Sequence, residues 1–496
     1  MFLLSLYNDC IALLPELFLC ISISVILIYL VIYSTSFFLD FPLLISNVSW
    51  LCIQILLITL YLNVFNSLCN ITVFHDLIIV DLFSVVIKTS IILICIFVLL
   101  MSLDYNKLEM LNKPEFSIFV ILSVLGTLLL VSSYDLLSMY LSIELQSFCS
   151  YLLASFKRNS EFSAEAGLKY FVLGAFSSGF LLFGCSLVYG FSGTTNYRLL
   201  SLLVVNYNHF SFSGNGIIIG AFFILIAFLF KLSAAPFHIW SADVYEGAPT
   251  IVMAFFALIH KLGLFIFFFR LFYDPFYGII GFWQTLIITA SIISMLLGSF
   301  GAMWQMKLKR LLAFSTIGQV GYMLISLCCN SFESVFALIF YCLVYSVMNI
   351  STFSLLLMVR KSSYSKRIKY SEDFVTMAKT NPFLAISLGV TFFSIAGVPP
   401  FVGFFSKMFL FFGSISQSMF NLTIIGVLTS VVSCFYYLRI VQMGFFEKIN
   451  KWISLKRVNK ELAYLASLSN LFIILFFFHP NLFVLLIHYS IFDLCL

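Results

Sequence analysis

Charge is what this sequence has least of. Of 496 residues, 26 are Lys or Arg and 21 are Asp or Glu, a charged share of 9% against 62% hydrophobic. A water-facing domain carries about 25% charged residues, so there is too little polar side chain here to cover a soluble surface. The mean hydropathy of +1.11 agrees. A soluble enzyme, a disordered chain and a nucleic-acid binder are excluded, and a polytopic membrane protein is expected. Basic residues are missing from the start, where the first is Lys88. Neither a secretory signal with a basic n-region nor an Arg-rich presequence fits, so insertion from the compartment of synthesis is expected. Proline is scarce as well, 10 residues against 61 Phe, a composition that suits an AT-rich organelle genome. The 12 cysteines form no C-x-x-C pair and no Cys/His cluster. Adjacent Cys328 and Cys329 fit neither zinc spacings nor a disulfide framework. They are read as small buried hydrophobes, with no metal or iron–sulfur cluster expected.

What is there is a series of long apolar runs. About 20 such residues cross a bilayer core of roughly 30 Å, and fourteen runs qualify, from about 11–34 to about 463–489. They are continuously apolar rather than alternating, which disfavours a β-barrel. With fourteen spans both termini share one side, and 19 of the 26 basic residues gather on the other, among them Lys107, Lys157, Lys307, Arg360, Arg367 and Lys456. Only Arg198 and Arg270 fall opposite. The positive-inside rule makes the basic side the cytoplasm, or the matrix of a mitochondrion. Two segments, Asn450–Leu462 and Asn196–His209, are candidate amphipathic surface helices or plain loops.

Five basic residues lie inside the runs: Lys88, Lys231, Lys261, Lys407 and Arg439. Arg439 is near a helix end, where it can snorkel to the interface. Insertion scales charge about 2.5–3.5 kcal/mol for one central Lys, so Lys231, Lys261 and Lys407 together cost roughly 8–10 kcal/mol. Together with Glu144 in the fifth run they point to an ion or proton pathway; static ion pairs are the bland alternative. In FKLSAAPFHIW, Pro236 cannot donate to the helix and clashes with the carbonyl of Leu232, so the seventh run should break just after Lys231. Gly397, Pro399, Pro400 and Gly403 break the twelfth before Lys407 in the same way. Such breaks in two halves indicate inverted repeats, here helices 4–8 and 9–13. His238 and His260 flank the lysines and titrate nearest neutral pH, which makes them relay candidates. Lys88, seven residues after Asp81, reads as a structural ion pair or subunit contact.

At this point the stretches SIELQSFCSYLLASFKRNSEFSAEAGLKYFVLGAFSSGFLLFG, FKLSAAPFHIWSADVYEGAPT, STIGQVGYMLISL and AGVPPFVGFFSKMFLF resemble the antiporter-like membrane subunits of respiratory complex I. The resemblance covers roughly residues 80–447. A Lys in helix 12, where the two larger paralogues have Glu, fits the subunit 2 family (NADH dehydrogenase) best. Ala242 departs from the Pro common before DVYEGAP in relatives. The resemblance implies an all-α integral membrane fold of about 14 transmembrane helices, with two inverted five-helix repeats and broken helices 7 and 12. The expected units are residues 1–110, a three-helix segment; 111–274 and 275–447, the two repeats; and 448–496, a surface loop and helix 14. It also implies proton transfer through Glu144, Lys231, Lys261 and Lys407, with His238 or His260 and cavity water between them. NADH, FMN, iron–sulfur clusters and ubiquinone are expected in partner subunits and none in this chain. Expected partners are other complex I membrane subunits, further antiporter-like ones included, and lipids, not nucleic acid. The expected location is the mitochondrial inner membrane, with both termini on the intermembrane-space side. A monovalent cation/proton antiporter subunit, or a structural membrane subunit without its own channel, are the rival functions.

Overall fold

A computed structural model describes residues 2–34, 43–66, 70–109, 111, 113–206, 212–361, 367–375, 377–447, 455–456 and 458–495. Among the described residues, twelve helices are long and apolar enough to cross a membrane, and one short hairpin is the only sheet. Backbone polar groups in lipid must be satisfied within a helix or a closed barrel, and a chain this apolar takes the helical solution.

The N-terminal part consists of α1 (Phe2–Ala12), α2 (Leu14–Ser34) and α3 (Leu43–Val64), a hairpin of β1 (Ile71–Val73) and β2 (Ile78–Val80), and α4 (Leu82–Leu108). The third apolar run was expected from about residue 77. Asp81 stops it there, accepting from the Ser84 amide in a reciprocal capping box, so α4 begins five residues later and the hairpin takes residues 71–80. Next come α5 (Glu115–Ser132), α6 (Leu136–Ala154), α7 (Glu161–Ser192), the short α8 (Tyr197–Asn206), α9 (Phe212–Leu232) and α10 (Ile239–Gly247). The candidate surface helix at Asn196–His209 is α8 as far as the described residues reach. Of its counterpart, residues 450–454 and 457 lie outside the described residues. The described Leu455 bridges to Lys361 in extended form.

After α11 (Thr250–Phe255) one π-turn at Phe256–His260 leads into α12 (Lys261–Tyr273). These two helices are apolar all round and lie at the centre of the molecule, buried along their length. The remainder is α13 (Ile280–Met303), α14 (Leu308–Cys328), α15 (Phe332–Met358), the single turn α16 (Met377–Thr380), α17 (Pro382–Ala396), α18 (Val402–Ser416), α19 (Phe420–Phe446), α20 (Lys460–Leu475) and α21 (Asn481–Cys495). The run expected at 463–489 is interrupted between α20 and α21. Pro480 lies just before α21 and cannot continue the helix above it.

Both breaks read from proline and glycine are present. α9 ends at Leu232, and Ser233 takes a left-handed conformation with φ of 60°. Trp240 Nε1 donates to the Phe230 carbonyl at 3.0 Å, satisfying a group the break frees. α17 ends in a Schellman arrangement: Gly397 has φ of 89°, and the Val398 amide bonds back to the Phe393 carbonyl at 3.1 Å. α18 then crosses α17 so closely that a Cβ at Gly403 would stand 1.7 Å from the Ser394 carbonyl oxygen. Only glycine fits that crossing.

Candidate functional site

Glu144 lies in mid-α6. Its Oε1 is buried without a hydrogen-bond partner, and its Oε2 accepts from Ser147 Oγ at 3.4 Å. Lys231 sits in the last turn of α9, where the free carbonyls of a helix end favour a cation. The two form no ion pair among the described residues. Lys231 Nζ donates instead to the Tyr151 hydroxyl at 3.5 Å. Glu144, Ser147 and Tyr151, at spacings of three and four, share one face of α6, so two hydroxyls stand on the face that carries the carboxylate towards the amine.

Lys261, the first residue after the π-turn, is 4% exposed, and its Nζ donates to the Thr316 carbonyl at 3.4 Å. A π-turn at such a position is a recurrent mark of functional sites. Here it sets His260 with neither ring nitrogen hydrogen-bonded among the described residues, its ring edge-on to Phe255 and Phe256. Between Lys231 and Lys261 lies a cavity of about 20 Å³, walled also by His260, Gln146 and Ser147. That is the room one water molecule needs. His238 is not on this wall. It lies half-buried at the start of α10, beyond the break.

Lys407, 6% exposed, reaches back from α18 to the end of α17, where Nζ donates to the Ala396 carbonyl at 2.8 Å. Lys231 and Lys407 thus occupy equivalent electrostatic settings, each at the C-terminus of the first half of a broken helix. Lys261 and Lys407 both reach α14. Thr316 takes Lys261, and the Tyr322 ring lies 5.3 Å from the Lys407 amine. Six residues separate them, roughly 9 Å of helix. Gln319 sits between and accepts from Tyr341 of α15.

Sequence reading missed Tyr151, Gln319, Tyr322 and Tyr341. The signal was present in the spacing: Thr316, Gln319 and Tyr322 every three residues on α14, and Tyr341, Tyr345 and Asn349 every four on α15. It was hidden because tyrosine counts as apolar in a hydropathy scan.

Two further buried ion pairs lie away from these lysines. Lys88 pairs with Glu16 of α2 at 2.6 Å, with both side chains at most 5% exposed. Asp81, the neighbour expected from spacing, pairs instead with Arg270 of α12. Arg270, which sequence counting set on the opposite surface, is buried in that pair because Asp81 and the Val131 carbonyl draw it inward.

Residues 133–433 match the family described as NADH:quinone oxidoreductase/Mrp antiporter membrane subunits. The chain is 44% identical over 492 residues to NADH-ubiquinone oxidoreductase chain 2 of Marchantia polymorpha, with 99% of each chain covered. It is 40% identical over 480 residues to the protein of that name in Arabidopsis thaliana, covering 96% of this chain and 95% of that one. Among solved structures, it superposes on a chain of respiratory complex I from Thermus thermophilus with a TM-score of 0.77 at 24% identity, covering 95% and 98% of the two chains. A chain of the Mrp complex from Dietzia superposes with a TM-score of 0.80 at 17% identity, covering 98% and 97%. At those identities the two structures establish the fold.

Proposed function

The chain belongs to the NADH:quinone oxidoreductase/Mrp antiporter membrane-subunit family, and we propose that it is a proton-translocating membrane-arm subunit of respiratory complex I. In this reading electron transfer from NADH to ubiquinone takes place in partner subunits, which hold NADH, FMN, iron–sulfur clusters and quinone. The work of this chain is proton transfer alone.

The observation that carries the reading is the one-water cavity between Lys231 and Lys261, reached by His260 and by the α6 face of Glu144. Protons pass from Lys231 through cavity water, with His260 beside it, to Lys261. They continue along the Thr316–Gln319–Tyr322 face to Lys407. Glu144 is the switch. Drawn together with Lys231 it holds the proton on the amine; as now arranged, separated by hydroxyls, it lets the proton go. His238 lies on the α10 side of the break, off this path. Replacement Lys231→Met should lower the number of protons pumped per electron in reconstituted vesicles and, through coupling, slow quinone reduction. An unchanged proton-to-electron ratio would sink the proposal.

Fourteen crossings follow if α9–α10, α17–α18 and α20–α21 each count as one interrupted helix and α11–α12 as one continuous helix. The two inverted repeats would be residues 111–274 and 275–447, flanked by the units 1–110 and 448–496. Matching neighbours support this: α5 packs on α6 and α12 in the first, and α13 on α14 and α19 in the second. The basic surface would face the mitochondrial matrix and both termini the intermembrane space, in contact with the other antiporter-like subunits and with lipid. Central lysines repel metal cations, which disfavours sodium or potassium as cargo.

A further inference from the structure

On the basic face the ends of α6, α11, α14 and α15 surround a second cavity, of about 420 Å³. That is the size of a small-molecule site, and it lies outside the proton path. Its rim holds six cations: Lys157, Lys307, Lys309, Arg360, Arg367 and Lys369. Two carboxylates answer them. Glu109 takes Lys157 at 3.2 Å and Arg367, and Glu246 takes Lys307 at 2.5 Å. Lys309 meets only carbonyls, those of Ala248 and Glu246, and Lys369 forms no ion pair among the described residues. Arg360 is 4% exposed; its Nη1 pairs with Glu109 at 3.6 Å and has no hydrogen-bond partner among the described residues. Glu109 is shared with Lys157 and Arg367, so this buried guanidinium is only partly compensated. The deeper wall is apolar, formed by Met253, Leu312, Phe353, Leu356 and Leu357.

A cationic rim repels hydronium and an apolar floor conducts no water, so this cavity is no proton inlet. A soluble anion would use the rim and waste the floor. An acidic peptide would do the same. We infer that the cavity is a binding site for an anionic phospholipid, its phosphate on Lys309, Arg360 and Lys369 and its acyl chain along Leu356 and Leu357. Such a site, at helix ends where charged and apolar surfaces meet, lies at headgroup level.

The test uses the intact complex, purified in mild detergent and exchanged into detergent micelles carrying phosphatidylcholine, with or without labelled phosphatidylglycerol. The intact complex should retain phosphatidylglycerol through gel filtration, and should still retain it when excess inorganic phosphate is added. In Lys309→Gln/Lys369→Gln, retention should weaken about tenfold or more, as expected for lost charge-assisted hydrogen bonds. Leu356→Trp, which fills the floor, should weaken it while leaving the charges in place. Should the double variant fail to assemble, the exposed Lys369→Gln alone gives the reading, with a smaller loss. Unchanged retention in the variants, or equal retention of phosphatidylcholine, overturns the inference. Displacement by inorganic phosphate alone overturns it in favour of a soluble anion, and carbodiimide cross-linking of Lys369 to a neighbouring subunit overturns it in favour of an acidic segment.

Discussion

At the residue scale, the proposed chemistry rests on amines held where backbone carbonyls or hydroxyls receive them. Tyr151 accepts from Lys231, so Tyr151→Phe should leave the fold intact and remove one acceptor. A hydrogen bond to a charged group contributes about 1.5–3 kcal/mol, so proton transfer should slow roughly tenfold or more. Quenching of a pH-sensitive dye, measured against NADH oxidation in the same vesicles, checks this; an unaltered ratio and rate would assign Tyr151 to packing alone. Asp81→Asn acts differently. It leaves Arg270 buried and unpaired, a loss of about 3–5 kcal/mol, and should show as a fall in assembled complex on native gels rather than in pumping per complex. Lys231, Lys261, Lys407 and Glu144 were legible in the sequence because a charge in an apolar run is conspicuous. Their partners were not, since serine and tyrosine do not stand out there and contact across helices is not written in spacing.

At the element scale, the two broken helices do corresponding jobs with different residues. In α9 the break follows Lys231 directly; in α17–α18 the lysine lies ten residues beyond Gly397 and folds back onto Ala396. What makes that return possible is the close crossing at Gly403. Gly403→Ala should push α18 off α17, because its Cβ would overlap the Ser394 carbonyl. Lys407 should lose its carbonyl acceptor, and both assembly and pumping should fall together. A cysteine cross-link between α17 and α18, formed in the parent and lost in the variant, would locate the effect; its persistence would refute this account. Proline and glycine announced these breaks from the sequence. The interruption before α21 has the same cause, in Pro480, although the run about it is apolar on both sides. The start of α4 was misplaced for another reason: hydropathy continues through Ile78–Val80, and only the Asp81 cap separates strand from helix.

At the scale of the whole molecule, the basic face is tied together by carboxylates from distant parts of the chain. Glu109, after α4, binds Lys157 and Arg367. Burial raises the pKa of its carboxyl, but hydrogen bonding and charge from Arg367, then Lys157, outweigh that and hold it below the ordinary carboxylate range. The sign follows from linkage: a lowered folded-state value contributes stability above the unfolded pKa, and this is lost only as pH falls through the folded value. The face should therefore hold together through mild acid. Glu109→Gln should lower the Tm of the complex at neutral pH and flatten its decline in acid. An equal Tm for parent and variant at neutral pH would show that the cluster contributes nothing.

The sequence by itself determined the solvent, the helical class, the two helix breaks beside the lysines and the identity of the central charges. Each follows from local chemistry: lipid excludes unsatisfied backbone, proline lacks a donor, and a buried lysine is too costly to be incidental. Tertiary structure alone decided who meets whom. It paired Lys88 with Glu16 and Asp81 with Arg270, placed His260 on the cavity wall and His238 off it, and gathered six cations from the ends of α6, α14 and α15 and the stretch after α15 around one apolar pocket. Those outcomes depend on packing between segments as far apart as Asp81 and Arg270, where the energy of a contact is set by distance in space and burial, neither of which is a property of the order of residues along the chain.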